Sequence, residues 1–164
     1  DTVMLSDETA MGKYPLETIA AMKRVILYTQ ENTLPSPIGE VLVEENTQRT
    51  AIGSAAVKLA DELKAKAIIA ETKSGATARD IAAYRPNLPI ISVTSDIRRA
   101  QQLALVYANK SFVRPDGERA GLELGRELQA KDYFGDTTST VVIVSGRQPG
   151  LIGATDTIRV RVLE

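Results

Sequence analysis

Hydrophobic and polar positions along this chain keep switching between two periods. Short apolar runs alternate with stretches in which apolar residues recur every three or four positions. The first kind reads as buried strand and the second as amphipathic helix. Asp1-Thr-Val-Met-Leu-Ser6 predicts a short strand, and residues 16–31 place Leu16, Ile19, Ala20, Ile26 and Leu27 on one broad helical face. Pro15 suits the first turn of that helix. Leu34-Pro-Ser-Pro-Ile-Gly39 has linker composition, which puts a domain boundary within residues 34–45.

Beyond the boundary, residues 47–64 carry Ile52, Ala55, Ala56, Leu59, Ala60 and Leu63 as one stripe, a helix whose many alanines predict close packing. Ala67-Ile-Ile-Ala70 reads as a buried strand, followed by a helix over 77–84 that Arg85-Pro86 stops. A second buried strand is expected over 87–94. Asp96 then caps a helix carrying Ile97, Ala100, Leu103, Ala104 and Tyr107. Residues 111–114 predict a third strand and 118–131 a further helix. Thr140-Val-Val-Ile-Val144 is strongly β-branched, and residues 157–163 alternate polar with apolar, the mark of a strand with one solvated face at a sheet edge. Alternation of strand and helix predicts an α/β fold: a three-layer α/β/α sandwich with a five-stranded, mostly parallel sheet and an antiparallel edge strand. The glycine-rich stretch 145–155 is expected to be a long hairpin loop. No helix follows it, so its glycines do not make a dinucleotide fingerprint.

At 164 residues there is enough chain for one ordinary core, and a net charge of −1 predicts neither a nucleic-acid nor an anionic-membrane partner. With no histidine and no cysteine, Ser-His-Asp and Cys-His catalysis and His/Cys zinc sites are excluded. Cysteine-free composition is compatible with a reducing, cytoplasmic location. Chemistry is left to carboxylates, Lys, Arg, Tyr and hydroxyls, and no metal site is predicted.

The stretch with most chemical promise is Thr72-Lys-Ser-Gly-Ala-Thr77, between an apolar strand and a helix start. The first N–H groups of a helix lack partners and carry partial positive charge, so such a turn can hold an anion. Thr72, Ser74 and Thr77 offer hydroxyls, Gly75 lets the backbone approach closely, Ala76 is small, and Lys73 adds a full charge. The glycine and lysine spacing is not that of a P-loop. Local pattern leaves two readings open: a phosphate cradle, or a plain turn in which Ser or Thr caps the helix and Gly75 relieves a bend.

Several motifs in order carry a family resemblance. Val3-Met-Leu-Ser-Asp-Glu-Thr-Ala10 with Gly12-Lys-Tyr-Pro15 resembles the end of the pyruvate kinase barrel. Ala67-Ile-Ile-Ala-Glu-Thr-Lys-Ser-Gly-Ala-Thr-Ala-Arg79, Tyr84-Arg-Pro-Asn-Leu-Pro-Ile-Ile-Ser-Val-Thr94 and Gly135-Asp136 before Val141-Val-Ile-Val-Ser-Gly146 resemble that family's C-terminal domain. Asp7 departs from the pattern, since many relatives carry glycine there. The resemblance implies a remnant of the barrel over 1–33 (its last strand and helix), a linker over 34–45 and a regulatory domain over 46–164. It implies a parent enzyme that moves the phosphoryl group of phosphoenolpyruvate to ADP, with Mg²⁺ and K⁺, whose catalytic groups lie outside this chain. Ser6 and Glu8 would at most edge that active site; equally, they shape the turn into the next helix. Implied partners are a phosphorylated sugar or nucleotide effector, the catalytic barrel, and further copies in a tetramer. The effector would meet Thr72, Lys73, Ser74, Gly75, Ala76 and Thr77, with Arg119 for a second phosphate and a closing loop containing Arg147, Gly150 and Gly153. Arg79 is expected to pair with a nearby carboxylate. Two other classes stay open: an assembly module that binds no ligand, and a stand-alone α/β enzyme acting on a phosphorylated metabolite.

Overall fold

The structure is a computed structural model that describes residues 1–32, 47–146 and 155–164. The chain divides into two compact units, Thr2–Ser36 and Pro37–Glu164, with Asp1 counted in the second. The expected linker over 34–45 lies outside the described residues.

In the smaller unit, residues 1–6 form no strand, contrary to the apolar pattern. A strand exists only through ladder partners, and none is present for this segment among the described residues. Short helix α1 (Asp7–Ala10) follows, then α2 (Pro15–Asn32). The apolar face of α2 is real but buries no residue fully; Leu16 and Ile19 are exposed.

The larger unit is built on a five-stranded sheet among the described residues: β1 (Ala67–Glu71), β2 (Ile90–Thr94), β3 (Asn109–Val113), β4 (Ser139–Gly146) and β5 (Thr155–Leu163). Strand order is β3-β2-β1-β4-β5, parallel throughout except for the antiparallel β4–β5 pair at the edge. On one face lie α3 (Gln48–Glu62), α4 (Ala76–Ala83) and α5 (Ile97–Leu103); on the other lies α6 (Ala120–Ala130). The three-layer sandwich is therefore the observed fold.

Period-two alternation in the strands divides the core. Ile68, Ala70, Val142 and Val144 pack under the first three helices with Ala56, Ala60 and Ile81, while Ala67, Ile69, Val141 and Ile143 pack under α6 with Leu124 and Leu128. Ile68, Ile69, Ile90 and Ile91 are wholly buried, each contributing about 1.5–3 kcal/mol by leaving water.

Local chemistry explains the helix ends. Thr47 and Thr50 form a reciprocal capping box at α3, and the Asp96 carboxylate accepts from the N–H groups of Arg98 and Arg99 at α5. The buried line of α3 is Gly53-Ala56-Ala60, rotated from the expected stripe; Ala55 and Leu63 are exposed. Small side chains win that face because α3 lies close against α4, with the Gly53 Cβ position only 3.6 Å from the Asp80 backbone. Helix α5 stops at Leu103, short of Tyr107: the Asn109 Nδ2 amide donates to the Leu103 carbonyl at 2.9 Å, and Ala108 turns at φ 52°. At the edge, Val160 and Val162 of β5 remain exposed.

Candidate functional site

In an open parallel sheet, ligands collect outside the carboxyl ends of the strands, where neighbouring strands send their chains in opposite directions. Here that point lies between β1 and β4, because β1 leads through α4 to β2 while β4 was reached by a crossover from β3. The Thr72–Thr77 turn leaves β1 at this place.

Alternation along β1 sends Glu71 toward α6 and Thr72 toward the opposite face. Thr72 Oγ1 accepts from the Gly75 N–H at 3.0 Å and closes the turn from within. Gly75 is the N-cap of α4 in the left-handed conformation, φ +82°, which explains why glycine stands there. No side-chain cap is made at that residue, so the expected Ser or Thr cap is not the arrangement found; Ser74 Oγ reaches only the Ala76 N–H, at 3.4 Å. Among the described residues no partner meets the backbone N–H of Thr77 or Ala78. The first turn of α4 carries no acidic residue. Ser74, Ala76 and Lys73 are part exposed there, while Thr72, Gly75 and Thr77 are buried.

Two of the expected donors are already engaged. The Thr77 hydroxyl shares a hydrogen bond with that of Thr155 at 2.7 Å, tying the start of α4 to the start of β5. Lys73 Nζ donates to Ser95 Oγ at 2.8 Å and to Asp116 Oδ2 at 2.5 Å. Hydrogen bonds from Lys73 and Ser95 hold the Asp116 carboxyl below its usual range. Turns following β1, β2 and β3 thus meet at one ammonium group.

On the other face, a Glu71 carboxylate oxygen accepts from the Gly121 N–H at 2.8 Å, in the first turn of α6. Burial pushes the Glu71 pKa up, opposed by that hydrogen bond and by the charge of Arg159. A Cβ on Gly121 would stand 2.6 Å from the same oxygen, so glycine is what admits the contact. Arg119, expected to serve a second phosphate, is the exposed N-cap of α6. It borders a groove of about 640 Å³ with Arg114, Asp116, Glu118, Glu123 and Glu127; Arg114 is paired with Glu127 at 2.7 Å. Arg79 is exposed and makes no ion pair among the described residues, contrary to the expectation; the adjacent Asp80 pairs with Arg49.

Arg147, Gly150 and Gly153 lie outside the described residues. In the smaller unit Ser6 and Glu8 are exposed, and the Glu8 carboxylate folds back to accept the Ser6 N–H at 3.0 Å. Hydrogen bonds from its own and the Ser6 backbone N–H keep its pKa low. Sequence reasoning missed Glu71, Ser95, Asp116 and Thr155 as participants. Glu71 carried a signal, as a charge ending an otherwise apolar strand; the other three are ordinary turn or edge residues.

Among the described residues no group of acidic side chains could hold a metal ion, and no helix is long and apolar enough to cross a membrane. Topology and site together define a class: a doubly wound α/β domain with a glycine-centred turn at the switch point of its sheet. Residues 50–161 match the model of the pyruvate kinase alpha/beta domain. Over 167 residues the chain is 34% identical to "Pyruvate kinase 2" of Synechocystis sp. (strain PCC 6803), covering 100% of this chain and 28% of that protein. It is 35% identical over 170 residues to a pyruvate kinase of Mycobacterium tuberculosis (strain H37Rv), covering 98% and 34%, and 35% identical over 164 residues to one of Agrobacterium vitis, covering 98% and 35%. The chain belongs to the pyruvate kinase family, and it spans about a third of the length of these relatives.

Proposed function

We propose that this chain is the effector-binding part of a pyruvate kinase and that a phosphate group of the effector docks on the turn 72–77. The observation that carries the reading is a pair of N–H groups, Thr77 and Ala78, that meet no partner among the described residues, at a helix start with no acidic residue in its first turn and lying at the switch point of the sheet. Ser74 Oγ and Lys73 Nζ sit beside that turn and would complete the cradle, Lys73 turning part of its charge from Asp116 to the ligand. Thr72 and Thr77 hold the turn in shape through their hydroxyls. Arg147, Gly150 and Gly153 would close over the effector from the β4–β5 connection.

In the same reading the parent enzyme transfers the phosphoryl group of phosphoenolpyruvate to ADP in the cytoplasm. Mg²⁺, K⁺ and the catalytic carboxylates and lysine belong to its barrel, so the 164-residue chain alone is catalytically inactive. Positioning and charge stabilisation make up nearly all of phosphoryl-transfer catalysis, and a single domain without the metal ligands cannot supply them. Contacts with the barrel and with other copies, in a tetramer, would be the remaining roles of the chain.

Isothermal titration with fructose 1,6-bisphosphate, ribose 5-phosphate, glucose 6-phosphate and AMP tests the site. At least one is expected to bind, and Lys73→Ala should weaken it roughly tenfold, the worth of a charge-assisted hydrogen bond. Silence from all four would leave only a part in assembly.

A further inference from the structure

We draw no further inference here: the strongest candidate, the apolar groove of about 400 Å³ that Val3 and Leu5 form with Ile19, Met22, Ile26 and Leu27 of α2 in the smaller unit, is an unpartnered face, and nothing in the structure shows what covers it.

Discussion

Replacing Gly75 with alanine tests whether the turn at the end of β1 is held in the conformation seen. Gly75 lies at φ +82°, where an L-residue with a Cβ is strained by about 1–2 kcal/mol. The added Cβ would also stand 3.2 Å from Leu103 Cδ2 and 3.4 Å from its Cγ, and Leu103 is itself buried in the core. Moving a packed leucine adds on the order of 1 kcal/mol, while the stiffer unfolded chain returns about 0.4–1 kcal/mol. The net expectation is a loss of about 2 kcal/mol. Two further glycines separate the contributions. Gly135→Ala has positive φ (+73°) but open space, so it isolates strain and should cost about 1 kcal/mol. Gly117→Ala has open space and no positive φ, and should be neutral or slightly stabilising. Hydrogen exchange of the Ile68 amide, which donates to the Pro89 carbonyl in the middle of the sheet, reads opening of this unit alone. A loss of 2 kcal/mol makes that exchange roughly 30-fold faster. Exchange in Gly75→Ala no faster than in Gly117→Ala would refute the reasoning, because the left-handed turn would then not be required.

The Thr77–Thr155 hydroxyl pair should show coupling in urea unfolding. Thr77→Val alone leaves the buried Thr155 hydroxyl without its partner and should cost about 1–3 kcal/mol; the double change to valine should cost clearly less than the two singles together. Strict additivity would show that the hydroxyls do not depend on each other. Glu71 should leave a signature in the pH dependence of stability. Its folded pKa is raised above the ordinary 4.5, so between the unfolded and folded values the native state holds the extra proton, and stability is lost as pH rises through that window. Measured from about pH 4 to pH 8, Glu71→Gln should therefore gain on wild type as pH increases above roughly 4.5. A difference that is flat or slopes the other way would mean that Gly121 and Arg159 outweigh burial.

The α/β alternation, the sheet composition and the glycine-centred turn after β1 were legible in the sequence for a plain reason. Strand interiors such as Ile68-Ile69 and Val141–Val144 are apolar on both faces, and Asp96 or Thr47 announces a helix start through local chemistry. Where the outcome depends on what lies across the fold, pattern alone misleads. Residues 1–6 have strand composition and no ladder partner, and the α3 stripe rotates onto Gly53, Ala56 and Ala60 because a helix lies against it.

The site divides in the same way. Thr72-Lys-Ser-Gly after an apolar strand is enough to specify a tight turn with open amides, because those constraints act within four or five residues. Which charges surround the turn is decided by contacts some twenty to eighty positions apart: Lys73 with Ser95 and Asp116, Glu71 with Gly121, Thr77 with Thr155. Strand order, parallel pairing and the face each side chain takes bring those groups together, and only the folded sheet settles all three.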